Sequence, residues 1–65
     1  MRFMIHYNGA AVYVKEREFF LAQKKAAPTW DTSNWHGPIE ADGIEHARLI
    51  GQNMVRDGKL KAPHQ

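Results

Sequence analysis

The chain contains no cysteine among its 65 residues, which excludes disulfides and zinc–thiolate sites. With nothing pointing to an oxidising compartment, a cytoplasmic location is the expectation. Long apolar runs are missing as well. The longest is Ala10 to Val14, whereas a spanning helix needs roughly 18 or more residues, and no basic stretch leads into an apolar signal segment. Neither a membrane span nor secretion is expected. Charge of one sign is scarce: the net charge is +2, too mild to point to nucleic acid by itself. Catalytic signatures are absent too, with no Gly-rich phosphate loop, no G-x-S-x-G and no HExxH. We therefore expect no enzyme, no catalytic residue, no cofactor and no small-molecule substrate.

What is present reads as one small soluble domain. The chain is 43% apolar and 25% charged, the balance of a globular rather than a disordered chain. At this length folding hides only about 60% of the surface of the unfolded chain, so the domain folds alone marginally or leans on a partner. The charges are segregated: residues 1 to 27 carry +3, residues 28 to 55 carry −3 and the remainder +2. Attraction between segments explains this most simply, and a basic surface made by both ends is the sharper alternative.

The strongest local signal is at the start, where Arg2 to Tyr7 and Ala10 to Lys15 are alternating, β-rich runs around Asn8-Gly9. Asn-Gly predicts a two-residue type I′ turn. That turn sets Tyr7 opposite Ala10, Ile5 opposite Val12 and Phe3 opposite Val14 on one face. His6 then opposes Ala11, Met4 opposes Tyr13 and Arg2 opposes Lys15 on the other. The first face is apolar and belongs to the core; the second is mixed and left open.

From Lys15 to Ala27 helix formers replace β-branched residues, with Phe19, Phe20, Gln23 and Ala26 or Ala27 near one stripe. Glu16 to Leu21 also fits a second strand that runs on. Pro28 ends the element. Thr29 to Gly37 is a structured loop holding Trp30 and Trp35, each a candidate for core or interface, and at least one of them is expected to plug the gap between helices and sheet. A second helix is predicted from Gly43 to Arg56, with Asp42 as N-cap, Glu45 completing a capping box and Gly58 as the stop. Gly51 lies in its buried stripe, where a tryptophan is expected to approach, and Leu49 projects from its polar face. The fold class is thus α+β: an N-terminal β-hairpin packed against two short helices, spanning residues 1 to 58. Residues 59 to 65 are expected to form a flexible basic tail, with a third strand at Lys59-Leu60-Lys61 as the minor alternative.

Histidines are scattered. Asp42 and His46 stand four apart on one helix, and His36 beside His46 would make a weak two-ligand site, but neither pattern amounts to a metal site. No metal is expected. Binding surfaces are the better prospect. Met4, His6 and Tyr13 on the open sheet face, with Leu49 on the helix, are the candidate contacts for a protein partner. A two-stranded sheet also exposes two edges, so a homodimer by edge pairing is expected to supply missing core. The size and the missing catalytic signature suit a small accessory protein of bacterial or phage type that docks on a macromolecule. The competing reading is weak, salt-sensitive nucleic-acid binding through Arg2, Lys15, Lys24, Lys25, Arg56, Lys59 and Lys61.

Overall fold

The computed structural model describes residues 1–62 of the chain. Along the chain run β1 (Arg2–Tyr7), β2 (Val12–Glu16), α1 (Arg17–Ala26), β3 (His36–Glu40) and α2 (Ile44–Arg56). The α+β class holds, with a sheet of three antiparallel strands in the order β2-β1-β3.

The hairpin forms where expected, but its turn is longer. Asn8 Oδ1 accepts hydrogen bonds from the backbone N–H groups of Ala10 and Ala11, both at 2.8 Å, and Asn8 N–H donates to the Ala11 carbonyl at 3.3 Å. Only Gly9 in the turn takes a positive φ, 97°, so the type I′ geometry, which needs two such residues, is not the one adopted. The asparagine side chain supplies the turn's acceptor, which draws both alanines into it. The register therefore moves by two residues: Ile5 opposes Val14, His6 opposes Tyr13, Met4 opposes Lys15 and Phe3 opposes Glu16. An even shift keeps every side chain on its predicted face.

β3 corrects the two-stranded expectation. His36–Glu40, its first two residues expected to end a loop, pairs with β1 through Arg2↔Glu40, Phe3↔Ile39 and Ile5↔His36, with an irregularity between Phe3 and Ile5. Proline within a short run is compatible with an edge strand, which is the place β3 takes. β1 becomes the central strand, and this is why Phe3 and Ile5 are fully buried.

The two helices lie on opposite faces of the sheet, not together over one. α2 covers the Phe3, Ile5, Val12 and Val14 face: Phe3, Ala41 and Ala47 form a core to which Val14, Ile39 and Ile50 are packed. A Cβ built on Gly51 would stand 2.7 Å from Val12 Cγ1 and 3.6 Å from Ile5 Cδ1. The bare helix backbone thus seats directly on β2, and the neighbour of Gly51 is a valine where a tryptophan was expected. On the other face α1 buries Phe20, while Phe19, placed on the same stripe by the sequence, is 66% exposed. β2 ends at Glu16 and the helix starts at Arg17, which removes the continued-strand alternative.

α2 begins one residue later than predicted. Its N-cap is Gly43, with no side-chain cap bond, so the capping box on Asp42 and Glu45 does not form. Asp42 N–H instead donates to His46 Nδ1 at 3.0 Å. The C-terminus follows the prediction. Gly58 takes φ 75°, its N–H donates to the Val55 carbonyl at 3.1 Å, and Lys59 N–H donates to the Met54 carbonyl at 2.8 Å. These two bonds make a Schellman cap. The cap turns the chain back, and Leu60, at 1% exposure, and Ala62 are buried. The expectation of a flexible tail from residue 59 also covers residues 63–65, and that part of it lies outside the described residues.

Candidate functional site

Alternation along β1 and β2 sends Met4, His6, Tyr13 and Lys15 to the face away from α2. That face is not open. Trp35 lies over His6 with ring centroids 5.4 Å apart, and His6 stacks on Tyr13 at 6.0 Å. Phe20 of α1 meets Trp30 at 5.3 Å and Trp35 at 5.6 Å, and the two indoles meet edge-on at 5.9 Å. Both tryptophans therefore fill the junction between α1 and the sheet. Aromatic pairs at these separations add about 0.5–1.5 kcal/mol each beyond their buried area.

The loop between α1 and β3 is shaped to deliver those rings. Trp30 N–H donates to the Ala27 carbonyl, Trp35 N–H to the Thr32 carbonyl, and Ser33 N–H to Asp31 Oδ1 at 2.9 Å. The bonds from Ser33 hold the Asp31 carboxyl below the ordinary aspartate value. Lys24 Nζ donates to the carbonyls of Pro28 and Trp30. His6 Nδ1 lies 3.3 Å from the Asn34 carbonyl, which ties strand to loop. Lys15 Nζ sits 5.1 Å from the Trp30 ring centroid and 5.7 Å from that of Trp35, and donates to Gln23 Oε1. A surface lysine is thereby folded inward as the cation of a cation–π contact.

The predicted contact residues are consequently dispersed. Met4 and His6 are half-buried, Tyr13 is 49% exposed at the outer strand and Leu49 is 54% exposed on α2. Of the predicted cations, Arg2 bonds Glu40 at 3.2 Å, Arg56 lies 3.6 Å from Asp57, and Lys15 and Lys24 are engaged as above. Lys25, Lys59 and Lys61 are exposed. The Arg2 guanidinium, followed by the Met1 ammonium, holds the Glu40 carboxyl below the ordinary glutamate value. Part of the segregated charge is therefore spent joining the first segment to the middle one.

Sequence reasoning did not bring Phe20, Trp30, Trp35 and Lys15 together. The signal was the pair of tryptophans itself: too much apolar area to leave in water, and only one sheet face unclaimed by α2. Open-sided concavities of about 220 Å³ (Met1, Arg2, Glu16, Arg17, Glu18) and about 250 Å³ (between the hairpin turn, Gln52 and Val55) lie at the surface. Both fall short of the ~300–1,000 Å³ typical of a small-molecule pocket. Among the described residues no three His, Asp or Glu side chains group as metal ligands, and no helix is long and apolar enough to cross a membrane.

The sheet's outer strands complete the site. β3 carries Pro38, which lacks an N–H, and its pairing with β1 is irregular. Both features blunt an edge. β2 has neither: five consecutive residues pair with β1 without a shift. Asn8 and Ala11 form a hydrogen-bonded pair, so by antiparallel alternation Tyr13 and Lys15 turn their backbone groups toward β1. Val12, Val14 and Glu16 turn theirs outward. Compared with protein-family models, with curated proteins and with solved structures, the chain matches none.

Proposed function

We propose that this is a small non-catalytic interaction protein that docks on a protein partner, with the outer edge of β2 as its contact. The observation that carries the reading is that edge: a regular strand without proline or bulge, bearing an exposed Tyr13 and outward-facing backbone groups at Val12 and Val14. Edge strands of this kind accept an added strand, with the backbone supplying affinity and alternate side chains supplying selectivity. Phe19 and Leu21 on the helix that follows β2 are exposed as well, on different sides of that helix. His6 enters the reading as support beneath Tyr13, Met4 as the half-buried neighbour opposite Lys15, and Leu49 as a separate helix-face contact.

The nucleic-acid reading has less support, because four of its seven cations are already engaged within the chain. The test is site-specific photo-crosslinking in the source cell, with the reactive group at position 13 and, as control, at position 25. The docking reading expects a protein adduct at 13 and none at 25. Adducts to nucleic acid at 25, lost as salt rises, with none at 13, would replace it with the alternative.

A further inference from the structure

We infer that the occupant of the β2 edge is a second copy of this chain, paired antiparallel about a two-fold axis at Val14. The inference rests on the docking reading above and names its partner. Three observations carry it.

The first is the size of the core. Among the described residues the buried apolar side chains larger than alanine are Phe3, Ile5, Phe20 and Leu60. Fully burying each contributes about 1.5–3 kcal/mol, little for a chain of this length, and a continuous six-stranded sheet adds to it. Second, the edge lacks its usual protection. A lysine on an outer strand ordinarily keeps other strands away, but the Lys15 ammonium is folded over Trp30 and Trp35 and bonded to Gln23.

The third observation is self-complementarity. With Val14 opposite Val14 of the second copy, the outward groups of Val12 meet those of Glu16 and the outward groups of Val14 meet their equivalents, as hydrogen-bonded pairs. Tyr13 then falls opposite Lys15 of the other copy in a close, non-hydrogen-bonded pair. The row formed by Trp35, His6 and Tyr13 continues onto the aliphatic stem of that lysine, whose ammonium lies nearby over its own tryptophans. A two-fold contact repeats each pair, so any gain or penalty counts twice.

The test is light scattering and sedimentation on the full chain, alongside Tyr13→Lys and Tyr13→Glu variants whose folding is checked by circular dichroism. Both variants lose the same ring contacts, and they differ in the charge presented to Lys15 of the second copy. We expect a dimer, with the lysine variant dissociating about tenfold more readily than the glutamate variant. An isotope-filtered NMR contact between the Tyr13 and Lys15 α-protons of different copies fixes the register. A monomer at millimolar concentration overturns the inference, as does a dimer that responds equally to both variants or lacks that contact. A monomer that still forms the heterologous adduct at position 13 removes the second copy and leaves the docking reading standing.

Discussion

At Gly51 two opposing effects meet at one atom. Replacing glycine by alanine in a helix gains about 1 kcal/mol of propensity. Here the new methyl would stand 2.7 Å from Val12 Cγ1, and overpacking of that kind costs about 1–3 kcal/mol. Gly51→Ala is therefore expected to destabilise the fold by about 1 kcal/mol in chemical denaturation. Combined with Val12→Ala, which removes the obstructing methyl, it is expected to cost less than the two single changes together. Additive losses would mean that the helix does not seat on Val12. Glu40 gives a pH test. Its carboxyl titrates below the ordinary value because of Arg2 and the Met1 ammonium. A depressed folded value means that this contribution is present above the unfolded glutamate value and is lost as pH falls through the folded one. The partners are exposed, so salt weakens it. Side-chain NMR titration of Arg2→Gln is expected to move the Glu40 midpoint up; an unmoved midpoint contradicts the pairing. At this scale the faces of Phe3, Ile5 and Gly51 were legible from alternation and helical period. The role of Lys15 was not, because a cation's resting place depends on rings more than a dozen residues away in sequence.

Elements were legible wherever a local signal specified them. Asn8-Gly9 announced the hairpin and Gly58 the end of α2, since both act through their own backbone. The cap makes a clean prediction. Gly58 takes φ 75° and has nothing within 4 Å of a built Cβ, so Gly58→Ala meets no clash and its cost is the left-handed backbone, about 1–2 kcal/mol. Denaturant midpoints read it directly, and an unchanged midpoint would mean that the cap does not hold the last turn. The hairpin register was missed by two because Asn8 bonds the amides of Ala10 and Ala11, a choice between turns close in energy. β3 was missed for a different reason. His36–Glu40 has no alternation strong enough to stand alone and contains Pro38; it becomes a strand because β1 offers it a partner. Its existence is a tertiary fact.

For the whole molecule, the fold class was legible and the layering was not. Either face of a short hairpin can take a helix, and only the joint placement of Phe20, Trp30 and Trp35 sends α1 to the face opposite α2. That placement has a measurable cost. Trp35→Ala removes ring contacts to His6, Phe20 and Trp30, and the loss is expected to be about 3–5 kcal/mol, enough to abolish a cooperative thermal transition in so small a core. A sharp transition in that variant would show that the cluster is peripheral. With β3 blunted by Pro38 and its irregular pairing, the regular open edge of the sheet is the outer side of β2, and the docking reading rests on it. Amide hydrogen exchange followed from micromolar to millimolar protein tests it most directly. Tyr13 and Lys15 should be protected throughout, whereas Val12, Val14 and Glu16 should exchange freely when dilute and become protected as the concentration rises. Protection of those three at every concentration would contradict an open edge, and protection at none would contradict pairing with a second copy.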